Sequence, residues 1–115
     1  MSNRIQRVNS LLENEISKLF LRRFDFPPDV LVTVTRAEVS TDLREGKIFV
    51  SVIPENRTTT IFKILNSNIY DIQQEINHRL KMKTVPKIKF IKEEKTKAAA
   101  RVEELLEEVK KEKNG

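Results

Sequence analysis

There is no cysteine in this chain, no tryptophan, a single tyrosine, a single histidine and only two glycines. Without cysteine there is no disulfide framework, no thiol nucleophile and no cysteine-ligated metal. That suits a reducing compartment, and the expected location is the cytoplasm. Two glycines and four prolines in 115 residues are too few for a sandwich or barrel of many tight turns. No apolar run approaches the roughly 18 residues of a membrane span. Glu13 and Glu15 break the apolar stretch that an N-terminal signal peptide would need. No membrane is therefore expected among the partners. Paired carboxylates, a nucleophile beside a base and a glycine-rich phosphate loop are also missing. Ser40 and Asp42 in "STDL" read as a turn that bonds its own backbone. His78 stands among cations with no second ligand nearby. No catalytic residue, metal site, cofactor or small-molecule substrate is expected.

What the chain does have is charge and periodicity. Charged residues make up 34% and the formal net charge is +5, which favours an anionic partner without choosing one. Ile5, Val8, Leu12, Ile16 and Leu19 recur at helical spacing and predict a helix from about Asn3 to Phe20. Pro27-Pro28 stops it. Alternation through Leu31, Thr33 and Thr35 against Val32 and Val34 predicts a strand, and "KIFVSVI" predicts a second, joined as an antiparallel hairpin through "STDLREG". Pro54 closes that unit. Thr58 to Thr60 are candidate caps before Ile61, Ile64 and Leu65. A second helical stripe follows in Ile69, Ile72, Ile76 and Leu80. "NSN", Asn66 to Asn68, lies between the two stripes, so two helices with a kink are expected rather than one. Pro86 opens a third strand, "KIKFIK", with Ile88 and Phe90 on one face and Lys87, Lys89 and Ile91 on the other. Val102, Leu105, Leu106 and Val109 mark a final helix. The result is an α+β two-layer fold with a three-stranded sheet. Residues 1–110 read as one domain, with 111–115 as a frayed end.

The stretch "HRLKMKTVPKIKFIK", His78 to Lys92, carries Arg79, Lys81, Lys83, Lys87, Lys89 and Lys92 and not one acidic residue. Lys87 and Lys89 share a strand face. Arg79 and Lys83 lie one helical turn apart if the helix continues that far. Such a field can neutralise several phosphates, and binding of that kind falls steeply with salt. Arg4 and Arg7, off the apolar stripe of the first helix, are candidates for a second edge. Arg22 and Arg23 balance Asp25, and Lys95 and Lys97 sit at the start of the last helix. Tyr70 reads as half-buried packing, and Phe49, Phe62 and Phe90 as core. A sheet with so few candidate exposed aromatics points to recognition of RNA shape and backbone more than of sequence.

"RIQRVNSLLENEISKLF", "VTVTRAEVSTDLREGKIFVSV" and "RLKMKTVPKIKF", in this order, resemble ribosome-binding factor A. The middle piece is the most specific, combining a T-V-T strand, an S-x-D-L turn and a strand ending V-S-V. The resemblance covers about Arg4 to Val109. It implies a type II KH-like fold, α-β-β-α-α-β, with an extra C-terminal helix. It also implies a cytoplasmic, non-catalytic assembly factor. Such a factor binds the small ribosomal subunit and its rRNA as a monomer and assists late maturation of the 16S rRNA at its 5′ end. Where most KH domains carry G-x-x-G, this family has an Ala-x-Gly kink. Counting back from Pro86 places it at Asn68-Ile69-Tyr70, with neither Ala nor Gly. The expected RNA-binding residues are Arg4, Arg7, Asn68, Arg79, Lys81, Lys83, Lys87, Lys89 and Lys92. Two other classes stay open: a general KH-type binder of single-stranded RNA, and an adaptor that docks a protein through its acidic last helix.

Overall fold

The computed structural model describes residues 3–94. The last-helix expectation and Lys95 and Lys97 therefore lie outside the described residues. The element order is α1 (Asn3–Arg23), β1 (Leu31–Val39), β2 (Glu45–Ile53), a 3₁₀ turn (Glu55–Arg57), α2 (Thr58–Ser67), α3 (Ile69–Arg79) and β3 (Lys87–Lys92). This is the α+β arrangement expected from the pattern, and the KH-like fold implied by the resemblance. No helix among the described residues is long and apolar enough to cross a membrane.

The sheet order is β1-β2-β3, with β1 antiparallel and β3 parallel to β2. The helices α1, α2 and α3 cover one face. Val8, Leu12, Ile16, Leu19 and Phe20 of α1 meet Ile61 and Leu65 of α2, Ile72 and Ile76 of α3, and the inward side chains Ile48, Val50, Val52, Ile88 and Phe90. Most of the stability of a helix in a folded protein comes from packing its amphipathic face, so α1 depends on burying that stripe. It runs three residues past Phe20, to Arg23, because Arg22 and Arg23 suit the negative end of the helix dipole. Arg23 bonds Glu75 of α3 at 2.8 Å rather than balancing Asp25.

β1 does not alternate cleanly. Val34 pairs with Val50 and Arg36 with Phe49, so Thr35 is an inserted residue and the register shifts there. After the bulge Ala37 and Val39 point inward and Arg36 outward. Phe49, expected in the core, lies on the outer face beneath Arg36, whose guanidinium carbon is 3.8 Å from the ring centroid. The physical reason is strand parity: Ile48 and Val50 take the inward positions on either side of it.

Arg36 also bonds both oxygens of Glu93, at 3.0 and 3.3 Å, and Thr35 Oγ1 donates to the same carboxylate at 2.6 Å. The Arg36 bond, reinforced by Thr35 and opposed by partial burial, holds the Glu93 carboxyl below its ordinary value of 4.5. A carboxyl lowered on folding stabilises above its unfolded value and loses that contribution as pH falls through the folded one. Glu93→Gln is therefore expected to be less stable than the parent at neutral pH. That gap should narrow progressively below pH 4.5, as read by urea denaturation across the acidic range. A gap independent of pH would assign Glu93 a packing role only.

Two local expectations need correction. The hydroxyls of Thr58 to Thr60 do not cap α2. Its N-cap is Arg57, the last residue of the 3₁₀ turn, and Thr58 Oγ1 donates backward to the Glu55 carbonyl at 2.7 Å. Pro54, joined by a cis peptide, starts that turn and accepts from Arg57 N, so the entry is already hydrogen-bonded without a forward cap. Tyr70 is 72% exposed, not half-buried. It falls between Ile69 and Asp71, away from the Ile72–Ile76 stripe that faces the core.

Candidate nucleic-acid interface

Three segments meet at the N-terminal end of α1. They are α1 itself (Arg4, Arg7, Leu11), the β1–β2 turn (Asp42, Leu43, Arg44) and the loop after α3 (Lys81, Met82, Lys83). Together they line an open groove of ≈580 Å³. Five cations, Arg4, Arg7, Arg44, Lys81 and Lys83, face a single carboxylate, Asp42, in its lining. Repulsion among so many like charges disfavours their proximity unless an external anion compensates.

Each segment is held by identifiable bonds. β1 is an edge strand, and α1 covers that edge. Asn9 Oδ1 accepts from Val39 N and Glu13 Oε1 from Ala37 N, both at 2.9 Å. These bonds satisfy donors that would otherwise be an unpaired edge, and they set the N-terminal turn of α1 beside the hairpin. Gly46 allows the close approach. A Cβ there would stand 3.3 Å from Leu12 Cδ1 and 3.5 Å from Pro86 Cβ.

The turn is over-determined. Ser40 Oγ donates to Asp42 Oδ1 at 2.6 Å, Arg44 N donates to the same oxygen at 3.1 Å, and Glu45 N donates to Ser40 Oγ at 3.1 Å. Those bonds maintain Leu43 at φ 61°, a conformation a branched side chain rarely adopts. Such strain costs roughly 1–3 kcal/mol and persists only where the surroundings enforce it. The Ser40 hydroxyl, then the Arg44 backbone N–H, hold the Asp42 carboxyl below the usual range, so it stays ionised at neutral pH.

The loop after α3 is pinned by Gln73. Its Nε2 donates to the Pro86 carbonyl at 3.0 Å and its Oε1 accepts from Ile88 N at 2.9 Å. Leu80 is buried, and Lys87 N donates to the Arg44 carbonyl at 2.8 Å, joining the end of the loop to the turn. The sequence pattern singles out neither Arg44 nor Gln73, and Asp42 only as a turn residue. Arg44 sits alone among mixed charges there, and only hairpin closure carries it to the groove.

The acid-free stretch from His78 to Lys92 is divided by the fold. Lys81 and Lys83 enter the groove with Arg4 and Arg7. Lys87 and Lys89 lie exposed on the outer sheet face, opposite Glu45 and Lys47 of β2. Lys92 bonds Glu55 at 3.1 Å. Arg79 does not share a helical turn with Lys83, because α3 ends at Arg79 and Leu80 is extended. Its guanidinium lies 3.5 Å from Glu15 and 3.4 Å from Glu75, with Arg79 Nε and Glu15 Oε2 buried and lacking hydrogen bonds. Asn68 is at the opposite end of α3, about 16 Å along its axis at 1.5 Å per residue. There Nδ2 donates to the Ile64 carbonyl at 2.7 Å, and its own carbonyl accepts from Ile72 N. The side chain thus satisfies an orphan carbonyl of α2, which is how the kink forms without Ala or Gly.

Arg79→Met is accordingly expected to cost about 1–2 kcal/mol of stability, since it leaves the Glu15 carboxylate with only Lys18, 3.9 Å away, and Glu75 with only Arg23. RNA affinity should change less than about 3-fold, because Arg79 lies in a part-buried ion-paired cluster apart from the groove. Denaturation and filter binding on the same preparation test both, and a large affinity loss with unchanged stability would place Arg79 in the interface.

Comparison with known proteins follows the same lines. A family model described as ribosome-binding factor A matches residues 4–106. Among curated proteins, ribosome-binding factor A of Thermodesulfovibrio yellowstonii is 34% identical over 108 residues, covering 94% of this chain and 92% of the relative. The Halothermothrix orenii protein of that name is 37% identical over 111 residues, covering 95% and 90%. Among solved structures, ribosome-binding factor A from Thermus thermophilus superposes with a TM-score of 0.64 at 17% identity, over 76% of this chain and 94% of that one. At that identity it speaks for the fold. A solution NMR structure of a Thermotoga maritima protein, described as a putative ribosome binding factor A, matches with a TM-score of 0.57 at 30% identity, covering 84% and 96%.

Proposed function

The chain belongs to the ribosome-binding factor A family, and from that premise we propose that it binds the small ribosomal subunit through rRNA phosphates at the α1–hairpin–loop groove. The observation that carries this reading is the convergence of Arg4, Arg7, Arg44, Lys81 and Lys83 on one concave surface. Lys87 and Lys89, which begin beside Arg44 and continue onto the outer sheet face, extend the field. The protein acts without catalysis or cofactor, as a cytoplasmic monomer, and residues 1–110 work as one RNA-binding unit. By favouring an immature arrangement of 16S rRNA near its 5′ end, it assists late maturation. Its effect on that equilibrium equals its differential affinity for the immature and mature forms. Arg79 and Asn68 take structural parts in this scheme, one in an ion-paired cluster and the other at the kink.

A second reading, a general binder of single-stranded RNA, draws on Tyr70, whose 72% exposure beside the kink offers a stacking surface. Co-sedimentation separates the two. With free small subunits, assembled ribosomes and unstructured RNA compared across a salt series, the assembly-factor reading expects salt-sensitive binding to free subunits and little to the other two. Equal binding to all three would favour the general binder, and none to free subunits would refute the proposal.

A further inference from the structure

The groove is not a plain cationic trough. Its floor is apolar: Leu11 is 42% exposed, and Met82 and Leu43 line the same surface beside buried Val8. Phosphates need no such floor. An unpaired nucleotide presents an apolar base face and an anionic backbone together, and it is the ligand whose two parts match floor and rim. The groove, ≈580 Å³ and open to solvent, has room for a nucleobase. The flexible thioether of Met82 suits a flat aromatic partner.

Asp42 is the second observation. A carboxylate among five cations weakens phosphate binding, and holding the β1–β2 turn uses only one of its two oxygens. Its Oδ1 already accepts from Ser40 Oγ and Arg44 N. Oδ2 accepts no hydrogen bond among the described residues, and the nearest guanidinium nitrogen, Arg44 Nε, is 4.0 Å away. That oxygen keeps lone pairs free for a donor from outside. On the Watson–Crick edges of the four bases, guanine alone places two N–H donors side by side, N1–H and the N2 amine. Cytosine and adenine set an amine against an acceptor nitrogen, and uracil flanks its N–H with two carbonyls.

We propose that the groove receives one unpaired guanine of the bound RNA, its face on Leu11, Leu43 and Met82 and its N1–H and N2–H donated to Asp42 Oδ2. Arg4, Arg7, Lys81 and Lys83 hold the flanking phosphates. The inference rests on the groove reading above and adds a specificity-determining residue to it.

The test uses the full chain and short RNA hairpins that differ only at one unpaired position: guanosine, inosine, adenosine or an abasic site. Binding is followed by fluorescence anisotropy. Guanosine is expected to bind about 10-fold tighter than adenosine, with inosine, which lacks the N2 amine, in between. Asp42→Asn is expected to act in opposite directions on two probes. It should weaken the guanosine hairpin and tighten the abasic one, from which a repelling charge has been removed. If Asp42→Asn does not fold, the guanosine–inosine comparison on the unmodified protein decides alone. Equal affinity for all four hairpins overturns the guanine site while leaving phosphate binding in place. So does an Asp42→Asn effect of the same sign on every probe. If Arg7→Gln/Lys81→Gln leaves every affinity unchanged, the groove reading falls and the guanine site with it.

Discussion

Converting Arg4, Arg7, Lys81 and Lys83 together to Gln is expected to weaken RNA binding by about 10²–10³-fold at 0.1 M salt. The magnitude follows from counterion release. Each phosphate neutralised on a single strand contributes about 0.7 to the slope of log affinity against log salt, so each is worth roughly a factor of 5 at 0.1 M relative to 1 M. Removing four such cations lowers the slope by about 3, and that change is the diagnostic quantity because a folding defect does not produce it. All four side chains line the groove, and none of them makes an ion pair among the described residues. Their removal should therefore leave the melting temperature nearly unchanged. The control is Lys87→Gln/Lys89→Gln on the outer sheet face, where at most two phosphates can be neutralised. If the double substitution costs more affinity than the quadruple one, the interface is the sheet face and not the groove.

Phe20→Ala is expected to cost about 3–5 kcal/mol, as for a large aromatic removed from a packed core. Phe20 is 6% exposed and sits where α1, β3 and the chain leaving α1 converge. Its ring meets Phe24 edge-on at 5.6 Å and Phe26 edge-on at 5.8 Å, and is tilted against Phe90 at 6.1 Å. Phe24 and Phe26 stack on each other at 5.1 Å and lose their support when Phe20 goes. Native domains are stable by only about 5–15 kcal/mol, so this is a large share of the total. A fall in melting temperature of more than about 10 °C is expected by circular dichroism. Phe20 lies about 20 Å along α1 from Arg7 at 1.5 Å per residue. At a temperature where the variant is folded, its RNA affinity should stay within about 2-fold of the parent, an effect below 0.5 kcal/mol. A joint loss of stability and folded-state affinity would mean that the two ends of α1 are coupled.

Much of the fold was legible because its cause is local. The α1 stripe, the kink at Asn68 and the "KIKFIK" strand each follow from periodicity or from a side chain that bonds its own backbone. What was misread depends on partners distant in the chain. Phe49 looked like core because it falls in an apolar run, yet the parity of β2 turns it outward, and Arg36 covers it only because Thr35 is inserted one position earlier. Thr58 looked like a cap until the 3₁₀ turn before it supplied the bonds.

The candidate site divides in the same way. Sequence alone determined that the chain is cationic and has an acid-free run from His78 to Lys92. It also carried the words of the family. Which of those cations lie together was decided only by tertiary structure. Chain neighbours are separated when a helix ends and a strand begins. Arg79 thus turns toward Glu15 and Glu75, Lys92 toward Glu55, and Lys87 and Lys89 onto the sheet. Residues far apart in the chain are brought together when a hairpin closes against a helix. Arg4, Asp42 and Lys83 share a groove because Asn9 and Glu13 hold α1 to the β1 edge and Gln73 holds the loop to β3. Charge is a property of composition, but a charged surface is set by side-chain-to-backbone hydrogen bonds between elements that no local pattern encodes.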